Sequence, residues 1–184
     1  MSQPEGSSPV SSAKAAATPP GEGGVLRFDA TGEVVRPRMT AAEFAATKVG
    51  HHAATHFTGD GARLVLGQQE IGGGRFDVTV RFTDGKVAGV ELIAPLARDG
   101  KSWSDWTLAG EMERKRVHEA WAAAYFGKAM EPKPIEIEGL TQPGGVVPFE
   151  VTAEHPRHAR FAWGEVASWY DSKGGQAWMT VAYT

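Results

Sequence analysis

The alternation of apolar and polar positions is cleanest over Arg75–Phe82. Phe76, Val78, Val80 and Phe82 fall on one side, and Asp77, Thr79 and Arg81 on the other. A period of two over such a run predicts a strand buried on one face only. The tight-turn pair Asp84-Gly85 follows, and Lys86–Ile93 returns as the partner strand until Pro95 ends it. Upstream, Arg63–Ile71 carries Leu64, Val65 and Leu66 and predicts a further strand, joined through Gly72-Gly73-Gly74. That glycine run has no Lys-Ser/Thr after it and opens no helix, so it reads as a turn and not as a phosphate cradle.

The period changes over residues 104–126, the one long helix signal in the chain. Ala, Leu, Met, Glu, Lys and Arg dominate its interior, all good helix formers. Ser104 stands where a cap is wanted, Asp105 places negative charge at the positive end of the dipole, and Gly127 supplies a left-handed stop. Glu111 lies one turn before Lys115, the orientation that favours an ion pair. Trp106, Gly110, Val117, Trp121 and Tyr125 recur at three- and four-residue steps and define the face expected on a sheet. Arg114 and His118 fall beside that face, with the terminal hairpin, at Tyr170 or Asp171, as their expected partner.

Shorter elements flank these. Val25–Phe28 and Val34–Val35 bracket the turn-like Asp29-Ala30-Thr31-Gly32 and predict a small hairpin. Thr40-Ala41-Ala42-Glu43 is a capping box that predicts a short helix over Ala41–Thr47, closed by Gly50. Ile135–Ile137 and Val146–Val151 could pair across Gly144-Gly145. Arg160–Tyr170 and Gln176–Tyr183 predict a terminal hairpin bearing Trp163, Trp169, Trp178 and Tyr183. The expected fold class is α+β: an antiparallel sheet of about five to seven strands packed against one long helix, with one additional short helix. The uncovered face of such a sheet is a place to bind something.

Composition sharpens the domain picture. With 184 residues the chain suits one domain, here residues 25–184, after a Ser-, Pro-, Ala- and Gly-rich segment 1–24 expected to be a disordered tail. The net charge of −3 gives no reason for non-specific binding to nucleic acid or an anionic membrane. The absence of cysteine excludes disulfides, thiol catalysis and zinc–thiolate sites. No apolar stretch approaches the roughly 20 residues that span a bilayer, and residues 1–24 lack a secretory pattern, so the expected location is cytoplasmic.

Residues 128–157 form a Pro-rich, acidic excursion. Glu131, Glu136, Glu138, Glu150 and Glu154 face a single Lys133 between Glu131 and Pro156, with Phe149 among the apolar positions. Long irregular segments in compact domains are often functional. These five glutamates, Phe149, Trp169 and Trp178 are therefore the candidate partner-binding residues. No cofactor loop or metal box stands out. His52 and His56 have the spacing of a helical ligand pair, but a polar loop is the simpler reading, and no metal or cofactor is expected. Ser168 has no glycine elbow, so a serine hydrolase is disfavoured. No catalytic residue is assigned. Arg114 and His118 are the alternative: a pocket between helix and sheet serving a small enzyme or ligand-binding domain.

The segments MTAAEF, FTDGKVAGVEL, SWSDWTLAGEMERKRVHEAW and WGEVASWYDSKGGQAWMTVAY, in that order, resemble a group of small bacterial proteins of unknown function. That group shows Ser-Trp-x-x-Trp, Glu, Arg-Lys-x-x-His and a closing Trp-Gly-x-x-x-Ser-x-Tyr-Asp-x-x-x-Gly segment. It is similar to partners encoded beside secreted toxins. The resemblance implies a binding role, that of an immunity protein blocking a toxin with a basic surface by occlusion, and brings no catalytic residue. A flat surface with His118 tied to backbone would favour this reading. A deep pocket enclosing Arg114 and His118 would favour the alternative.

Overall fold

The computed structural model describes residues 18–51, 53–58, 61–96, 105–133 and 155–184. An eight-stranded, wholly antiparallel sheet runs β3 (Ala54–Thr58), β4 (Gly61–Ile71), β5 (Gly74–Thr83), β6 (Lys86–Ile93), β10 (Gln176–Tyr183), β9 (Gly164–Asp171), β8 (Arg157–Phe161), β7 (Glu131–Pro132). A separate hairpin pairs β1 (Leu26–Arg27) with β2 (Val34–Val35). One long helix, α3 (Leu108–Phe126), packs on β9 and β10, and the short helices α1 (Ala41–Ala45) and α2 (Lys48–His51) lie near the N-terminus. The fold is α+β, as expected. The strand count reaches eight because the two-residue β7 adds an edge, where Pro132 discourages further pairing.

The alternating strand behaves as its pattern demands. Phe76, Val78, Val80 and Phe82 are all buried. Register places Leu92 beside Val78 and Val90 beside Val80, so β6 continues the apolar face, and Met179 and Val181 of β10 extend it. Phe44 of α1 meets Phe82 at 5.7 Å, and Trp121 of α3 meets Phe76 at 4.8 Å, so helix and N-terminal segment share this one face. The Thr40–Glu43 capping box is formed on both sides. Asp84 and Gly85 both have positive φ, the geometry of a tight hairpin turn whose twist suits its strands.

Several expectations need correction. The helix begins at Leu108, capped by Thr107, whose hydroxyl accepts from the Gly110 amide; Ser104 lies outside the described residues. Its end at Gly127, with φ 70°, is as expected. Trp106 precedes the first turn and is therefore off the packed face, 40% exposed, and Val117 is equally exposed. Gly50 does not close the first short helix but lies inside a second, α2. Arg160–Tyr170 is two strands, β8 and β9, which turn at Ala162-Trp163 before Gly164. A Cβ on Gly164 would sit 1.9 Å from the Ala182 carbonyl oxygen, and its φ of 150° further restricts the position to glycine. The expected hairpin within 135–151 lies outside the described residues.

The segment 1–24 is not tail to its end. Residues 18–24 dock on the body: the Gly21 amide donates to the Tyr125 carbonyl at 2.9 Å, and the Tyr183 hydroxyl donates to the Gly24 carbonyl at 2.9 Å. Gly24 lies so close to the Trp163 ring that a Cβ there would meet it at 2.5 Å. A chain starting at residue 25 is expected to be roughly 1–3 kcal/mol less stable than one starting at residue 18, because buried hydrogen bonds and the cover over Trp163 are lost together. Paired urea melts of the two truncations check this, and coincident curves would show the docking to be energetically idle.

Candidate functional site

Nineteen residues of helix turn an ionisable side toward the sheet. Glu111, Arg114, Lys115 and His118 of α3 are all buried. Such groups are tolerated inside only when charge and hydrogen bonding are satisfied together. The Glu111 carboxylate accepts from Arg114 Nε at 3.0 Å and from the Ala177 amide of β10 at 2.8 Å. Arg114 Nη1 donates to the carbonyl of Ala94, just beyond β6. The amide of the same Ala94 donates to His118 Nε2 at 2.9 Å. Helix α3 thus clasps the end of β6 by both polar atoms of one residue and holds β10 through Glu111. The expected ion pair from Glu111 to Lys115 is replaced by two others: Glu111 takes Arg114, and Lys115 takes Glu119, which also lies 3.7 Å from Arg157 of β8. The terminal hairpin is reached by Glu111, and not by Arg114 or His118 through Tyr170 or Asp171 as the sequence suggests.

The chemistry open to His118 follows from these bonds. Nε2 accepts a backbone N–H, so the ring proton resides on Nδ1, and Nδ1 is buried without a hydrogen-bond partner. Burial first, then the charges of Arg114 and Lys115, lowers the imidazole to about 3. A neutral ring held by its basic nitrogen to backbone and fully buried is poorly placed to accept a proton from a substrate. Ser168, on the helix-facing side of β9, is also fully buried with its hydroxyl unpartnered.

This geometry predicts a pH dependence. His118 binds fewer protons folded than unfolded between pH 6.5 and about 3, so its contribution to stability is complete above 6.5 and is lost as pH falls through that window. His118→Gln keeps a possible acceptor for the Ala94 amide but removes the titration. The parent is expected to lose stability more steeply than this variant from pH 6.5 to 4, measured by urea midpoints; parallel loss would dismiss the buried neutral ring.

The other predicted residues are scattered. Trp169 and Trp178 stand directly opposite each other on β9 and β10, both half-buried, on the sheet face away from α3. Glu131 is exposed on edge strand β7, opposite His158. Glu136, Glu138, Phe149, Glu150, Glu154 and His52 lie outside the described residues, as does the side chain of His56. Among the described residues no group of three or more His, Asp or Glu side chains could hold a metal ion, and no helix is long and apolar enough to cross a membrane.

Sequence reading missed Glu111 as the hub of the buried network. It also missed Arg81, Glu91 and Glu165 on the outer sheet face. Arg81 and Glu91 were within reach. Strict alternation puts Arg81 on the polar side, and the Asp84-Gly85 turn sets the register that brings Glu91 beside Thr79. No family model, curated protein or solved structure matches the chain.

Proposed function

We propose that the chain is a binding protein, an immunity-type inhibitor that neutralises a bacterial toxin by occluding it. The supporting observation is the backbone tether of His118: the Ala94 amide occupies the imidazole nitrogen that an acid–base mechanism would need. Arg114, the other half of the alternative pocket, is bonded to Glu111 and to the Ala94 carbonyl. Both side chains bind helix to sheet. Recognition then falls to the surface, where Glu131, Trp169 and Trp178 stand, and a binding role is also what the resemblance to toxin-associated proteins implies. A protein acting by occlusion needs a rigid scaffold more than a reactive group, and α3 clamped across β6, β10 and β8 is such a scaffold.

The test is co-expression. The tagged full chain is used to retrieve a binder from cells of its source, and that binder is expressed in a heterologous host with and without the chain. Restored growth, retained by the fold-preserving His118→Gln variant, is the expected result. No protection, or protection abolished by His118→Gln in a folded protein, would overturn the reading and favour chemistry at His118.

A further inference from the structure

Residues 18–24 lie over a row of aromatic rings. Phe161 and Trp163 stack at 4.7 Å, Phe126 meets Trp163 at 5.5 Å and Tyr125 at 5.1 Å, and Tyr183 lies 5.9 Å from Trp163. The strap above them brings no large apolar side chain. Thr18, Pro20, Glu22 and Gly23 are exposed, while Gly21 and Gly24 are buried and Pro19 is half-buried. Pro19 packs so closely on Gly127 that a Cβ there would meet its ring at 2.5 Å. A Cβ on Gly21 would run into the Phe126 and Tyr125 rings, and one on Gly24 into Trp163. The φ of 77° at Gly24 also favours glycine there. The pattern that this aromatic seat reads is therefore Pro-x-Gly-x-x-Gly.

Polar atoms fix the backbone of that pattern. The Gly21 amide donates to the Tyr125 carbonyl, the Tyr183 hydroxyl to the Gly24 carbonyl at 2.9 Å, and the Tyr125 hydroxyl to the Val25 carbonyl at 3.3 Å. Aromatic-lined seats are a recurring way of holding short proline-bearing segments. The attachment is light all the same. Little side chain is buried, and Gly21, Gly23 and Gly24 belong to the residue type that loses most freedom on ordering. One residue, Val25, separates the strap from Leu26, which is fully buried in β1. The strap can swing out while β1 stays seated. A second copy's strap would reach the same seat only by bringing its own β1 against this one.

We propose that this aromatic seat recognises a Pro-x-Gly-x-x-Gly segment of a protein partner, and that residues 18–24 are a built-in competitor which the partner displaces. The inference goes beyond the inhibitor reading and stands whether or not the chain neutralises a toxin. A lightly held segment is open in roughly 0.1–10% of molecules at equilibrium. The short tether keeps the strap at an effective concentration of about millimolar or above. A free segment therefore succeeds only when it adds contacts outside the motif or when the strap is weakened, which makes the strap a threshold against casual binding.

The probe is the peptide Thr-Pro-Pro-Gly-Glu-Gly-Gly-Val, titrated into the isotope-labelled full chain and followed by amide NMR shifts. A full-length variant carrying Gly21→Gln and Gly24→Gln cannot seat its own strap. It should take the peptide at least about 10-fold more tightly than the parent does. Saturating peptide should return the amides of Tyr125, Trp163 and Tyr183 to their positions in the parent. Adding Tyr183→Phe to the variant, which removes the donor to the Gly24 carbonyl, should weaken the peptide about 5-fold. Hydrogen exchange in the parent carries the test should the variant not fold. The Gly21 amide should exchange at least about 10-fold faster than the Ala94 amide held by His118. No shift in the variant at millimolar peptide, equal binding by the parent, or equal binding of a peptide with glutamine at the two buried glycine positions would each overturn the proposal. So would equal exchange of Gly21 and Ala94, since the strap would then leave only on global unfolding. A parent that dimerises on concentration with its straps exchanged would assign the seat to a second copy and overturn it as well.

Discussion

Arg114→Met is expected to destabilise the protein by about 3–5 kcal/mol, the loss typical when one member of a buried ion pair is removed. The guanidinium is 6% exposed and the Glu111 carboxylate 9%. Without Arg114 the carboxylate keeps only the Ala177 amide, and the Ala94 carbonyl loses its side-chain donor. An unpaired charge in a poorly solvated layer costs far more than the pair was worth. The diagnostic is the double variant. Glu111→Gln removes the stranded charge while keeping an acceptor for Ala177, so Glu111→Gln with Arg114→Met should be roughly 1–2 kcal/mol more stable than Arg114→Met alone. Urea unfolding of the two single variants and the double variant measures the coupling. A cost under about 1 kcal/mol for Arg114→Met would show that this pair is as weak as a surface one.

Trp121→Ala is expected to cost about 3 kcal/mol, and Trp106→Ala less than about 1 kcal/mol. Trp121 stacks on Tyr125 at 4.6 Å, meets Phe76 edge-on at 4.8 Å, and donates to the Ile71 carbonyl at 2.9 Å. Truncation would open a cavity between helix and sheet and leave that carbonyl without the indole. Trp106 donates to the Gly175 carbonyl but is 40% exposed, so water can replace both bond and contact. Thermal melts of the two variants decide it. Equal losses would put Trp106 back in the core, where its spacing in the sequence suggested it belonged.

That suggestion failed for a reason particular to this helix. Apolar spacing picks out Trp106, Val117, Trp121 and Tyr125, yet the buried side also holds Glu111, Arg114, Lys115 and His118. What makes those four acceptable inside is the backbone of Ala94 and Ala177 and the carboxylate of Glu119. The two alanines lie elsewhere in the chain, Ala94 just beyond β6 and Ala177 in β10, outside any local window. Strands fared better. Phe76 to Phe82 needs no distant partner to announce its face, and Asp84-Gly85 sets the register of β5 against β6. The split between β8 and β9 stayed hidden because Ala162-Trp163 carries no turn-forming residue and only Gly164 hints at it. The cluster on Glu165 was illegible for a simpler reason: Lys133 lies far from Glu165 in the chain and meets it only through the pairing of β7, β8 and β9.

That order also bears on how fast the protein reaches its native state. Strands β3 to β6 form one run of nearest-neighbour hairpins and β8 to β10 another, whereas β6 and β10 join across about half the length of the chain. Hairpins close in microseconds, but joining distant segments must first overcome the entropy of the long loop between them. Both halves can therefore be locally formed while Val90 still awaits Val181. Meeting at that seam is then the slow event, and refolding followed by stopped-flow tryptophan fluorescence is where the wait would be seen.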